Sequence, residues 1–282
     1  MGKLANSWAL TKASLAVVRK DKELLWLPVL SLAATVASFL LVVGIGFSVP
    51  HLYFTAMDAQ GNGGTFTPMG IAASAVLYFL LAFVQVFFAA AILAGAHERL
   101  SGGDPTVGSS VRAAWKRLGR LLAWSFVVAT VNLLLQMLRE RGGAAGKVGS
   151  AFGSLAWNLL TFFVLPVLLF EEVGVGAAFG RSGALFKKTW GETVLGTGGI
   201  GAVFALAFFL IVLLVMLPIT FVQSPFIGLP LVGAGIAALA ILVTLGIVVQ
   251  GVYKAALYRF ATTGQGGAGF TPQQLGGAFV PK

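Results

Sequence analysis

Met69-Gly-Ile-Ala-Ala-Ser-Ala-Val-Leu-Tyr-Phe-Leu-Leu-Ala-Phe-Val-Gln-Val-Phe-Phe-Ala-Ala-Ala-Ile-Leu-Ala-Gly-Ala96 carries no charged side chain from one end to the other. A helix crosses the hydrocarbon of a bilayer in about 20 residues, so this stretch is long enough to span it and too long for an ordinary core helix. Its apolarity is continuous rather than alternating, which argues for a helix and against a barrel strand. Working outward, five further runs share the property: Leu24–Val49, Leu121–Leu138, Val148–Phe170, Val194–Val222 and Leu229–Val252. The last two belong to one uncharged stretch between Glu192 and Lys254, far longer than a single crossing. Gln223-Ser-Pro-Phe-Ile-Gly-Leu-Pro230 is the expected turn between them, because proline removes helix donors and glycine relaxes the backbone. The expectation is an all-α polytopic transmembrane bundle of six spans. It forms a single domain over residues 1–262, followed by a flexible cytoplasmic tail over 263–282, where glycine, glutamine and proline prevail.

Composition agrees. Of 282 residues, 58% are hydrophobic and 10% charged, against about a quarter charged in a soluble domain. The first apolar run begins only at Leu24 and exceeds the apolar region of a signal peptide, so it is read as a retained span. Cysteine is absent, which excludes disulfides, thiolate metal sites and cysteine nucleophiles. With only His51 and His97 as imidazoles, a histidine metal centre is not expected either.

The net charge of +10 is distributed by side. Five Lys and Arg precede the first span, five lie in 97–120, three in 171–193 and three after 252. The opposite loops hold three, all in 139–147. Sixteen against three places the loaded side, and with it both termini, in the cytoplasm. The asymmetry accounts for the basic charge without nucleic acid. A multi-pass membrane protein is expected.

The basic segments share a design. Ser7-Trp-Ala-Leu-Thr-Lys12, Ser110-Val-Arg-Ala-Ala-Trp-Lys116 and Ser182-Gly-Ala-Leu-Phe-Lys-Lys-Thr-Trp190 each read as a serine-started helix of mixed apolar, aromatic and basic residues ahead of a span. Such helices lie along the interface, with Trp at headgroup depth and cations reaching anionic lipid. Arg112, Lys116, Arg117, Lys187 and Lys188 are the candidate lipid contacts. The unit of surface helix, span, outer loop and span recurs three times.

Chemistry is harder to find. No ionisable group sits in the middle of any span, whereas proton-coupled pumps and intramembrane proteases need such groups. Glu98, Glu171, Glu172 and Glu192 fall at span ends beside basic residues. Gln85, Asn132, Gln136, Asn158 and Thr161 lie at depth. Asn132 and Gln136 share one helix face, and Asn158 and Thr161 another. As a cluster, Asn132, Gln136, Asn158 and Thr161 are either interhelical packing contacts or the lining of a solute path between the third and fourth spans. Packing is the commoner outcome. Pro166 and Pro218 predict kinks. Gly196-Thr-Gly-Gly-Ile-Gly201 matches a dinucleotide fingerprint in letters only, since no strand precedes it. Gly180-Arg-Ser-Gly183 has a serine without a base, and His97-Glu98 lacks the second histidine of a zinc motif.

The leader Ser7-Trp8 with Lys20-Asp-Lys-Glu-Leu-Leu-Trp-Leu-Pro28, the loop from Arg181-Ser182 to Lys187-Lys188 and Trp190, and the ending Tyr258-Arg-Phe-Ala-Thr-Thr-Gly264 with Gly269-Phe-Thr-Pro272 and Ala278-Phe279 carry a resemblance. Together they resemble an uncharacterised family of prokaryotic six-span membrane proteins, and more distantly the membrane domain attached to some glycerophosphodiester phosphodiesterases. The resemblance implies the six-span architecture, a prokaryotic cytoplasmic membrane and no catalytic residues. The expected function is therefore a non-enzymatic membrane component that meets anionic lipid, a second copy or a partner membrane protein, without a cofactor. The alternative is a transporter or permeation pathway for a neutral or amphipathic solute.

Overall fold

The computed structural model describes residues 3–49, 66–190, 204–213, 225–265, 267, 269 and 270. Every regular element named here is helical: α1 (Lys3–Lys20), a 3-10 turn (Lys22–Leu25), α2 (Trp26–Ser48), α3 (Pro68–Leu100), α4 (Val107–Trp115), α5 (Leu118–Arg141), α6 (Gly143–Leu160), α7 (Val164–Phe170), α8 (Val175–Trp190), α9 (Phe204–Leu213) and α10 (Pro225–Thr263). The chain is an all-α bundle. Five stretches are long and apolar enough to cross a membrane: Lys22–Gly46, Pro68–Leu100, Leu118–Arg141, Gly143–Phe170 and Val232–Thr263. They correspond to five of the six expected spans. Of the remaining one, Val194–Val222, only the apolar helix α9 is described. Pro218, the Gly196–Gly201 motif and the neutral loop from Pro50 to Gly64 lie outside the described residues.

Two boundaries depart from the sequence reading. Pro225 to Pro230 are helical rather than a turn, because a proline at the first helical position loses only a donor that has no partner there. The helix that carries the last span therefore begins at Pro225, ahead of the expected Leu229. Beyond the end of α10, Phe270 is buried and its N–H bonds the Gly267 carbonyl at 3.1 Å. The start of the tail is thus packed on the bundle, while 271–282 lie outside the described residues.

Each surface helix is amphipathic at helical spacing. In α1 the inward stripe is Leu10, Thr11, Ser14, Val17 and Val18, with Trp8, Lys12, Arg19 and Lys20 exposed. In α4 the inward residues are Ser110 and Ala114, and in α8 they are Ala178, Ser182 and Leu185. The serines do not start these helices. The helices begin at Lys3, Val107 and Val175, and α4 is capped by Thr106, whose hydroxyl accepts from Ser109 N while Ser109 Oγ accepts from Thr106 N, both at 3.0 Å. Small residues inside let each surface helix lie close to the spans.

Ser182 does more than pack. Its hydroxyl donates to the Leu160 carbonyl at 2.7 Å and accepts from Phe163 N at 3.1 Å. Those groups flank the break between α6 and α7, three residues ahead of Pro166, whose ring and missing N–H disrupt the preceding turn. The kink expected at Pro166 is therefore a full break, and a side chain from α8 satisfies it. Trp124, Trp157 and Phe179 form a ring cluster, with centroids 5.3–5.8 Å apart, that fixes α8 against α5 and α6.

The protein core is gathered at one end of the bundle. Phe87 to Ala96 in α3, Phe163 to Leu169 around α7 and Val248 to Ala261 in α10 supply most of its buried residues, joined by Leu24, Leu27 and Leu121. Toward the other end, Val36, Phe39, Leu134, Phe152, Ile236 and Ile241 are exposed, as lipid-facing side chains should be. There Gly143, at φ +56°, turns α5 into α6, a conformation glycine adopts without strain.

At the packed end Gly95 permits the closest approach. A β-carbon there would press on Ser110 Oγ and lie 2.6 Å from Leu24 Cδ2. Gly95→Ala is expected to cost about 1–3 kcal/mol through overpacking, seen as a lower thermal unfolding midpoint in detergent. Gly119→Ala, where the space is open, should leave the midpoint unchanged or raise it.

Candidate functional site

The basic residues and the buried core meet at the same end. There, ionic contacts knit the helix termini together. Asp21, at the junction of α1 and α2, accepts two hydrogen bonds from Arg99 at the end of α3, and Arg99 also reaches Asp104. The Asp21 side chain is 4% exposed and that of Arg99 17%, so this is a nearly dry, forked pair. Arg259 of α10 donates to Ser101 Oγ at 2.6 Å. Glu98 accepts from Ser109 Oγ at 2.9 Å, which fixes the start of α4 against α3.

A second set surrounds the end of α7. Arg117 donates to the Leu169 carbonyl and to Glu172, each at 3.2 Å. Arg120 donates to the Glu171 carbonyl at 3.0 Å. The Glu171 carboxylate accepts from Arg181 at 3.2 Å and from the Tyr258 hydroxyl at 3.0 Å. The carbonyls at this helix end thus receive guanidinium donors. His97 lies over Phe170 at 4.2 Å, and Phe170 over Tyr258 at 5.5 Å, which anchors the apolar residue beside these charges.

Between α4 and the end of α7 these contacts leave a groove of about 550 Å³ lined by Ser109, Arg112, Ala113, Lys116, Arg117, Leu169, Phe170 and Glu172. Ser109, Arg112, Ala113 and Lys116 recur at the three- and four-residue spacing of one helix face. Leu169 and Phe170 supply an apolar wall. Arg112 and Lys116 are exposed and have no ion partner among the described residues. Arg117, in contrast, is spent on Glu172 and Leu169. The groove therefore combines two free cations, one internal ion pair and an apolar surface.

Three of the five expected lipid contacts, Arg112, Lys116 and Arg117, converge here. Lys187 is exposed on α8, and the Lys188 side chain lies outside the described residues. The four residues of the polar cluster stand apart from this groove. Asn132, Gln136 and Asn158 are exposed on α5 and α6. Gln136 is hydrogen-bonded to Glu140 on its own helix at 2.8 Å, and Thr161 donates to the Trp157 carbonyl. None of the four lines the groove. The interhelical contact expected of such groups is made by Gln85, which donates to Thr35 Oγ1 at 3.4 Å. Ser182 in the glycine-flanked motif is committed to the helix break.

With this geometry in hand, comparison with known proteins gives one result. Residues 70–270 match a family of unknown function, DUF6159. The chain belongs to that family. No curated protein and no solved structure matches, and the similarity to the phosphodiesterase membrane domain has no counterpart in what was found. The matched span takes in the whole groove and leaves out α1 and α2. The family therefore supplies no activity, and the chemistry of the groove has to speak for itself.

Sequence reasoning passed over Asp21 and Phe170 as participants, whereas Glu172 stands beside a basic residue at a span end as expected. A lone acidic residue inside a basic leader was the available signal for Asp21. Nothing local marks Phe170, whose place depends on the helix break before it. Arg99→Gln should destabilise the fold by about 3–5 kcal/mol by leaving Asp21 buried and unpaired. Adding Asp21→Asn should recover part of that loss, which a double-mutant cycle on detergent unfolding measures.

Proposed function

We propose that this multi-pass membrane protein is a non-enzymatic component of a prokaryotic cytoplasmic membrane that holds anionic lipid at its basic, cytoplasmic end. The observation that carries the reading is the pair Arg112 and Lys116, exposed beside an apolar wall and without an ion partner among the described residues. Exposed Trp8 and Trp115 accompany them on the surface helices. An amphipathic helix with Trp and unpaired cations partitions to the interface, where its charges meet the negative surface of the inner leaflet. Acids and bases near the groove are held by structural partners, Glu98 by Ser109, Glu171 by Arg181 and Tyr258, and Glu172 by Arg117, rather than arranged as a nucleophile with its base. That supports binding over catalysis.

Orientation is open to direct test because the chain has no cysteine. A single Ala144→Cys should react with a membrane-impermeant maleimide on intact cells, and Ala184→Cys only after permeabilisation; the reverse pattern overturns the topology. Each basic residue near an anionic surface contributes about 1 kcal/mol. Changing Arg112, Lys116, Lys187 and Lys188 together to Gln should therefore lower affinity for phosphatidylglycerol-containing vesicles by at least about tenfold. Unaltered affinity would remove the basis for the lipid reading.

A further inference from the structure

We infer that the groove between α4 and the end of α7 is a discrete site for one phospholipid, with its phosphate held by Arg112 and Lys116 and its glycerol and upper acyl chain against Ala113, Leu169 and Phe170. This deepens the lipid reading and rests on it. General attraction would treat every exposed cation at the basic end alike, whereas the structure does not present them alike. Arg112 and Lys116 stand four residues apart, so their side chains leave one helix face together and can reach the same anion. Lys187 lines no part of this groove.

The acidic wall does not repel the ligand, because Arg117 lies 3.2 Å from Glu172 and neutralises it. A phosphodiester arriving at the groove meets the two remaining cations. Arg112 offers a planar fork to two phosphate oxygens, and Lys116 adds a point charge. The groove is also held open from below. Ser109 is tied to Glu98, Arg117 to the Leu169 carbonyl, and Phe170 is fixed between His97 and Tyr258. A site with such fixed walls loses little freedom on binding.

The apolar wall distinguishes lipid from a water-soluble phosphate. A free anion gains nothing from Leu169, Phe170 and Ala113, whereas an acyl glycerol covers them. Trp115, next to Lys116 in sequence, is 63% exposed, as suits a side chain lodged at headgroup depth beside a bound lipid.

The test uses the full chain in nanodiscs of phosphatidylcholine with phosphatidylglycerol titrated in, read by native mass spectrometry as lipid retained per protein. The expected result is one retained phosphatidylglycerol per chain. Arg112→Gln with Lys116→Gln should weaken retention by tenfold or more, and Lys187→Gln with Lys188→Gln by less than threefold. Ala113→Phe, which fills the groove without changing charge, should also abolish the retained lipid. The charge pair is exposed and keeps the test intact if the packed variant does not fold. Equal losses from both cation pairs, with Ala113→Phe binding as the parent, would overturn the discrete site while leaving surface attraction standing. No loss in any variant would overturn both. Displacement of the lipid by glycerol 3-phosphate or inorganic phosphate at comparable concentration would reassign the groove to a soluble phosphate and sink the lipid proposal.

Discussion

A carboxylate and a guanidinium, taken almost wholly out of water, set the geometry of the basic end. A carboxylate buried in that position needs hydrogen-bond donors, and Arg99 provides two to Asp21. Burying such a pair costs solvation on both sides, so it contributes more to register than to net stability. Its effect is to tie the junction of α1 and α2 to the last turn of α3. With that register fixed, Leu24 seats against Gly95, and Ser110 of α4 seats beside it. The position of α4 decides where Arg112 and Lys116 point. A pairing that touches no ligand thus governs the one groove described at this end.

The same region shows why some cations are consumed and others are left over. The end of α7 is buried, and its terminal carbonyls need donors that water cannot supply. Arg117 and Arg120 fill that need because they follow α4 closely and face α7. Arg181 and Tyr258 are drawn to the Glu171 carboxylate in turn. Arg112 lies within α4 and Lys116 caps its end, and neither side chain is bonded to a carbonyl among the described residues. Their availability follows from helix phase and not from a general excess of positive charge.

Much of the architecture was legible because membranes penalise charge so heavily. Runs without Lys, Arg, Asp or Glu are easy to see, and five of them became helices of spanning length. Periodicity in the surface helices was equally readable, since Leu10, Ser14 and Val17 on one face oppose Trp8, Lys12 and Arg19 on the other. What failed was anything set by a second element. Serine in each surface helix looked like a cap from its local propensity, yet Ser110 and Ser182 face inward, and Ser182 repairs a break in a different helix. Gln223–Pro230 looked like a turn because it holds two prolines and a glycine, but Pro225 suits a helix start. Asn132 and Asn158 are both exposed on their helices, and helical phase alone could not say what those faces meet.

The uneven distribution of the core along the bundle has a mechanical consequence. The helix α3 has 33 residues, about 50 Å at roughly 1.5 Å per residue, against a hydrocarbon thickness of about 30 Å. Its excess length is gathered at the end where Arg99, Asp21 and Gly95 lock it to its neighbours. Among the described residues, the opposite halves of α2, α3, α5 and α6 carry mostly exposed apolar side chains, which suits them to lipid and lets them tilt with little loss of the described core contacts. A thinner or thicker bilayer is then accommodated by the loosely packed half, and the basic end keeps its shape. The groove is insulated from changes in membrane thickness by the half of the bundle in which few of the described residues are buried.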